Sequence, residues 1–470
     1  LKQFRDRFHV TVVDEKLSDL PYIKPKEGSS EAEFLKRQRE ILGGFVPSRE
    51  YKKEKLAIPP LKLFQSLLES SGEREISTTM VFVRLLGSLL KDKSIGKRIV
   101  PIVPDEARTF GMEGLFRQLG IYSSAGQQYE PQDSDSLMWY REDAKGQVLE
   151  EGITESGSFS SWIAAATSYA NYGKVVIPFY IYYSMFGFQR IGDLAWAAGD
   201  SRARGFLLGA TAGRTTLNGE GLQHQDGHGL LLASSYPTCI SYDPAFSYEL
   251  AVIIHDGLRR MYDNEEDVYY YITLMNENYI QPAMPEGAEE GIIKGVYLFR
   301  KGGESKTRVQ LMGSGTILRE VIAASDLLKK DFEIESDIWS IPGINQLHRD
   351  GIEAERWNMT HPGEKKKVPY LTKVLKGHNG PFVISTDYVK AYQEQIRRLI
   401  PGRFTVLGTD GYGRSDSREN LRKFFEVDRY YIAVAALSSL FEEGTVKAET
   451  VQKAIRKYKI DPEKLNPAIS

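Results

Sequence analysis

Residues 175–183 read VVIPFYIYY, a run with no charged or strongly polar side chain. A half-exposed strand alternates apolar and polar residues, whereas a strand covered on both faces does not. Pro178 lacks an N–H donor and argues against a central place in the sheet. Just upstream, Phe159, Trp162, Ile163, Ala166 and Ala170 fall on one face of a 3.6-residue period, which predicts a helix over 156–172. A helix over 188–203 and a strand over 205–210 are predicted downstream. This alternation marks a doubly wound α/β layer with a mostly parallel sheet.

Working outward, the pattern predicts a helical stretch at 61–91 and a strand at 98–103, RIVPIV. A strand at 239–242, a helix at 247–260 and a strand at 268–273 follow. MPEGAEEGIIKG (284–295) reads as a linker. Beyond it, strands are predicted at 308–312, 336–341, 381–385, 404–407 and 430–435, with a helix at 316–329 and helical structure over the last thirty residues. The start is irregular apart from one helix, opened by Ser30 with Glu33 three residues on. FVPSREYKKEKLAIPP (45–60) reads as a charged linker. The expected division is a lead-in over 1–55, an α/β domain over 56–284 and a second α/β domain over 285–470.

The 470 residues are 41% hydrophobic and 26% charged, with a formal charge of −2. These are values of a globular protein, and they give no reason to expect nucleic acid or an anionic membrane as a partner. Cys239 is the only cysteine, which excludes an intrachain disulfide framework and suits a reducing cytosol. No apolar stretch reaches the roughly 18–20 residues needed to span a bilayer. The chain begins LKQFRDRFHVTVVDEK, with no initiator Met and no signal-peptide core, so a piece of a longer protein is expected.

Several motifs carry possible chemistry. MGSGTILRE (312–320) follows a strand and opens a helix. Leu318 stands in place of a third glycine, so a plain βα turn is expected over a phosphate loop. HQDGH (224–228) offers His224, Asp226 and His228, but its glycines leave the two imidazoles unfixed and no third ligand is apparent. A substrate-facing His224 is the better expectation, because the loop follows a strand's carboxyl end. In GTDGYGRSDSRENLRKFFEVD (408–428), Asp416 and Glu419 suit a helix cap. Asp105 and Glu106 sit just past the 98–103 strand, where two carboxyl groups can hold a proton between them. Glu155 opens the 156–172 helix. An acid there is ordinary, because the helix dipole favours it.

Further motifs narrow the reading. GITES (152–156) resembles the loop of transketolase-type thiamine diphosphate enzymes that carries their glutamate. IYYSMFGFQR (181–190) resembles the segment whose aromatic ring stacks on the aminopyrimidine. DEARTFGMEGLFRQLGIYS, GQQYEPQD, GRTTLNGEGLQHQDGH, ISYDPAFSYELAVI, YYYITLMNENY, PAMPEGAEEGI and GTDGYGRSDSRENLR resemble the family of homodimeric bacterial pyruvate dehydrogenases, from about residue 30 to 470. These are the decarboxylating components of the pyruvate dehydrogenase complex. The resemblance implies an oxidoreductase of the bacterial cytoplasm that feeds glycolytic pyruvate to acetyl-CoA. Its cofactors would be thiamine diphosphate and Mg²⁺, and its acyl acceptor a lipoyl group on dihydrolipoamide acetyltransferase.

The family also has a diphosphate-binding domain with a GDG motif, and the GD pairs here, Gly192-Asp193 and Gly199-Asp200, are not in that motif. The chain therefore resembles the C-terminal half: a pyrimidine-binding domain and a C-terminal domain. The metal ligands are expected in an N-terminal half, and a second copy completes a homodimer. The isolated chain is expected to lack half of the active site. By motif, Glu155 would bond the pyrimidine N1′ from a dry, buried position and Phe186 would stack on the ring with Ile153 packed nearby. Tyr183 and His224 would face the bound intermediate, and Asp105 and Glu106 would support the proton network. Two alternatives stand beside this: another transketolase-fold enzyme, for which Arg214 and the two histidines of 213–228 supply phosphate-binding side chains, and a non-catalytic assembly subunit.

Overall fold

The computed structural model describes residues 1–45 and 55–470. Two compact units divide them, one before and one after position 53. In the first, a short helix spans Lys2–Arg7, a 3₁₀ turn Asp14–Asp19 and a longer helix Ser30–Ile41. Ser29, one residue earlier than expected, is the cap: its hydroxyl accepts the Ala32 N–H at 3.3 Å. These helices bury no side chain. Most of the expected 45–60 linker lies outside the described residues.

The second unit holds two large sheets and two short two-stranded ones, Glu75–Ile76 with Tyr279–Ile280 and Ile121–Tyr122 with Glu142–Asp143. The first has six parallel strands: β1 (Ile99–Val103), β2 (Leu149–Glu150), β3 (Ile177–Tyr183), β4 (Phe206–Ala210), β5 (Cys239–Tyr242) and β6 (Tyr269–Thr273), in the spatial order β2-β1-β3-β4-β6-β5. β3, in the apolar run VVIPFYIYY, lies between β1 and β4 and is buried along nearly its whole length. Pro178 does not keep it off centre. Its missing N–H falls at the strand's start, before the ladder to β4 begins at Phe179 and Phe206. Those two rings stack at 4.5 Å.

The helical stretch predicted over 61–91 is two pieces. A turn and short helix end at Leu68, and α1 (Thr78–Leu90) begins after Ser77, whose hydroxyl accepts the Met80 N–H at 3.2 Å. Ser70, Ser71 and Gly72 break the pattern between them. α2 (Glu155–Ala166) is capped by Thr154, which accepts the Gly157 N–H at 3.2 Å. A separate short helix, Ser168–Tyr172, follows and ends at Gly173 with φ 64°. Trp162 of α2 is fully buried and donates its indole N–H to the Phe206 carbonyl at 3.1 Å, fastening α2 to β4. α3 (Phe188–Asp200) and α4 (Ser247–Leu258) complete this layer.

The second sheet has five strands: β7 (Tyr297–Arg300), β8 (Arg308–Gly313), β9 (Glu335–Ser340), β10 (Phe382–Ser385) and β11 (Phe404–Leu407), ordered β7-β9-β8-β10-β11. All pairs are parallel except β7 with β9. β7 has no counterpart in the predicted pattern. α5 (Ile317–Phe332) follows β8, and α6 (Ile344–Thr360) follows β9. α7 (Arg418–Phe424) leads into α8 (Arg429–Glu442), where a strand was predicted at 430–435. Tyr430, Tyr431 and Ile432 favour a strand locally, but Asp428 accepts the N–H groups of Tyr430 and Tyr431 at 3.0 and 2.9 Å. Ile432, Ala433, Ala436, Leu437 and Leu440 then form one buried helical stripe. In the last thirty residues only α9 (Ala448–Lys457) is a helix. The expected linker 284–295 contains a helix, Ala288–Lys294, whose Ala288 and Ile292 are buried. The fold is α/β, a six-stranded parallel sheet followed by a mixed one, and hydrophobic clusters include residues of both sheets.

Candidate active site

Open parallel sheets present side chains for chemistry at the carboxyl ends of their strands. Four such ends converge here. β1 runs into Asp105 and Glu106; β2 ends on Glu150, with Glu155 opening α2 five residues later. β3 ends on Tyr183, followed by the 3₁₀ turn Ser184–Phe186. β4 leads to the loop carrying Glu220 and His224.

Three rings meet at this edge. Tyr183 lies 4.9 Å from the His224 ring and 6.0 Å from Phe186, and Phe186 lies 5.2 Å from His224. Phe110, from the loop after β1, closes the far side of Tyr183 at 5.5 Å. Burial raises the Tyr183 phenol, with the charges of Glu220, Glu106 and Asp105 adding to the shift. His224 Nδ1 stands 3.3 Å from the Glu220 carboxylate.

The acids form a second group. The Asp105 N–H donates to Glu106 Oε2 at 3.2 Å. Burial first, and the neighbouring Asp105 charge next among the raising effects, push the Glu106 carboxyl up. Glu150 is pushed up to about 7, by burial and then by the charges of Asp105 and Glu106. Its Oε2 is buried without a partner in the chain. These are the desolvation and like-charge conditions under which carboxyl groups keep a proton near neutrality.

Glu155 sits at the start of α2, beside Arg190 of α3. Its side chain is only 12% exposed, yet it is not secluded from charge: Oε1 accepts from Arg190 Nη1 at 2.8 Å. The same guanidinium lies over the Phe186 ring, 3.9 Å from its centroid. Ile153 is 77% exposed on the loop before α2 rather than packed beside Phe186. Glu155, Phe186, Tyr183, His224, Glu106 and Asp105 thus gather at one edge, and Ile153 lies at its surface.

The other motifs resolve into structure. In HQDGH, Asp226 is 1% exposed and accepts the N–H groups of His228 and Gly229 at 2.9 and 2.8 Å, while His228 Nε2 lies 3.2 Å from Gln189 Oε1. Among the described residues, no group of three or more His, Cys, Asp or Glu is arranged to hold a metal ion. In MGSGTILRE the turn embraces a carboxyl group: Ser314 donates to Asp243 Oδ2 at 2.6 Å, which leaves a phosphate no room. Ser417, not Asp416, caps α7, and Asp416 holds the Asn420 amide at 2.9 Å instead of pairing with Glu419. Arg214 is 4% exposed and donates to the carbonyls of Thr409, at 2.9 Å, and Gly411. A separate cavity of about 500 Å³ lies by α7 and α8, lined by ion-paired Glu277, Glu320, Arg422 and Arg429.

Residues 56–282 match the family described as the pyruvate dehydrogenase E1 component middle domain, and 295–428 the transketolase-like C-terminal domain. The chain is 61% identical over 469 residues to the pyruvate dehydrogenase E1 component of Pseudomonas aeruginosa and 56% identical over 473 to that of Escherichia coli strain K12. The chain is homologous to the pyruvate dehydrogenase E1 components. These alignments take in 99% and 100% of the chain but 53% of each E1 component, so the chain spans about half the length of the curated relatives it matches. Solved transketolases share the fold of this E1 homologue. That of Campylobacter jejuni superposes with a TM-score of 0.58 at 16% identity, over 88% of this chain and 51% of its own. A structure described as a split gene transketolase, inactive beta4 tetramer, gives 0.51 at 14% identity, over 78% of this chain and 98% of its own.

Three residues of this edge escaped the motifs. Arg190 stands four positions after Phe186, but Gly187 between them is not helical, so no helical spacing signals their contact. Glu220 stands four positions before His224 in a polar loop. Glu150 carries no sequence signal, because only the strand order brings it to the site.

Proposed function

We propose that the chain supplies the aminopyrimidine-binding part of a thiamine diphosphate enzyme that decarboxylates pyruvate oxidatively and passes the acetyl group to a lipoyl carrier. The observation that carries the reading is the shared grip of Glu155 and Phe186 on the Arg190 guanidinium: a planar, N–H-bearing group is held by a carboxylate while lying on an aromatic face. An aminopyrimidine asks for the same two contacts, so the residues present fit it.

When bound, thiamine diphosphate supplies the electron sink for loss of CO₂ from a 2-oxo acid. Glu155 would bond the pyrimidine N1′ and share a proton there, and Phe186 would fix the ring plane. Glu106, raised by burial, would take part in proton sharing with Asp105 and Glu150 behind it. Tyr183 and His224 would face the substrate-derived oxygen, His224 as proton donor or acceptor. Ile153 would pack only once a ligand or partner covers it. The diphosphate and its Mg²⁺ are assigned to residues outside this chain, in keeping with its share of the E1 length. A homodimer, dihydrolipoamide acetyltransferase as acyl acceptor, a cytoplasmic setting and the 1–55, 56–284 and 285–470 division belong to the same proposal. No helix of the described residues is long and apolar enough to cross a membrane.

A sugar-phosphate transketolase fits less well, because Arg214 is buried and its Nη1 donates to two backbone carbonyls. The test is CO₂ release from pyruvate by the intact protein with Mg²⁺, with and without thiamine diphosphate. Release that depends on the cofactor is expected; none in its presence overturns the proposal.

A further inference from the structure

The three rings at the candidate site come from two separate pieces of chain, the turn after β3 and the loop after β4. Something must hold those pieces in register, and the rings themselves are only in van der Waals contact. One buried carboxylate spans the gap. Asp226, 1% exposed, accepts the His228 and Gly229 N–H groups on Oδ1, which fixes it to the loop that carries His224. Its other oxygen, Oδ2, accepts the hydroxyl of Ser184, the buried residue between Tyr183 and Phe186. The Ser184 hydroxyl also lies 3.1 Å from the Tyr271 hydroxyl of β6, so the turn is tied to the sheet as well.

The surroundings are built around this contact. A Cβ on Gly229 would come within 2.5 Å of Asp226 Oδ2, and one on Gly209 within 2.6 Å of the Tyr271 hydroxyl and 3.1 Å of Ser184 Oγ. Glycine at both positions leaves the serine and the carboxylate free to meet. The Arg214 guanidinium packs over Gly227 and contributes the nearby positive charge. A hydrogen bond to a charged acceptor in a dry setting is stronger than a neutral one and costly to leave half-made.

We propose that Asp226 is a positioning residue: through Ser184 it sets the Tyr183–Phe186 turn against the His224 loop, and so orients the three rings that would receive the aminopyrimidine and the substrate. This rests on the thiamine diphosphate reading of the site. Asp226 touches neither cofactor nor substrate; its effect passes through Ser184.

The test is a double-mutant cycle in the intact protein with Asp226→Asn, Ser184→Ala and the pair. Thiamine diphosphate affinity in the presence of Mg²⁺ is read by calorimetry, and kcat and the pyruvate KM by CO₂ release. Each single change is expected to weaken cofactor binding about tenfold, the scale of one charge-assisted bond. It should lower kcat with saturating cofactor and leave the pyruvate KM within about twofold. The pair should be no more than about threefold worse than the worse single change, because both remove one bond. A purely structural role predicts a lower Tm with affinity and kcat preserved, or losses that multiply in the pair, and either result overturns the proposal. Should Asp226→Asn fail to fold, Ser184→Ala removes the same bond from the other side and decides alone. A wild-type protein that does not bind thiamine diphosphate defeats the reading of the site itself, an outcome distinct from a binding wild type with indifferent variants.

Discussion

Glu150 shows how a site residue can be invisible in one sequence and plain in space. Nothing in QVLEEG sets it apart from Glu151, but β2 pairs beside β1 and brings it to Asp105 and Glu106. Its carboxyl is held up to about 7 against an ordinary 4.5. Between those two values the folded state binds more proton than the unfolded one, so Glu150 contributes stability that is full below about pH 4.5 and lost as pH rises through 7. Glu150→Gln is therefore expected to gain Tm relative to wild type at pH 8 compared with pH 5, read by calorimetry across that range. Parallel pH curves for the two proteins would contradict the assignment. Glu155, Phe186, Tyr183 and His224 were legible because each sits in a contiguous motif. Arg190 and Glu150 were not, since their roles arise where separate strand ends converge.

Elements were legible where the period was clean and the strand fully buried. β3 and β4 follow their apolar runs within two residues. Caps and short edges were harder: Ser29 and Ser417 take roles assigned one residue away, and β7 joins the sheet as an antiparallel edge with no strong pattern of its own. α8 was misread because aromatic and β-branched residues cluster in its first turn. The cap there is expected to matter: Asp428→Ala should cost about 1–2 kcal/mol in chemical denaturation, the loss of a helix N-cap. Trp162→Ala should cost more, about 3–5 kcal/mol, because it opens a cavity between α2 and the sheet as well as breaking the bond to Phe206. Trp162→Phe should recover most of that loss; equal losses for both would place the energy in the indole bond alone.

At the scale of the molecule, the second sheet supports the first. Asp387, after β10, is buried and accepts the N–H groups of Thr215 and Thr216 at 2.7 and 3.0 Å and both their hydroxyls, so the loop that leads to His224 is anchored on the neighbouring layer. An ion-pair network continues from there. Glu320 of α5 takes Arg429 at 2.9 Å through two oxygens and lies 3.5 Å from Arg422, which also pairs with Glu277 beyond β6. Removing the Glu320 charge leaves the half-exposed Arg429 guanidinium without its carboxylate, while Arg422 keeps Glu277. Glu320→Gln is therefore expected to destabilise by about 1–3 kcal/mol, less than a fully buried pair because Arg429 is partly solvated, with an unchanged denaturant slope. A change below about 1 kcal/mol would show the network to be solvated. None of these long-range pairings was readable from local pattern, because each joins residues a hundred or more positions apart.

The role proposed for Glu155 is to handle a proton for a cofactor held on Phe186. It is tested most directly by thiamine diphosphate-dependent CO₂ release from pyruvate by the intact protein carrying Glu155→Gln. The expected result is a fall in kcat of at least about 10²-fold, with Tm within a few degrees of wild type, the low end of what a positioned acid–base group contributes. Turnover within about threefold of wild type would contradict it and leave Glu155 an ordinary helix-start acid paired with Arg190.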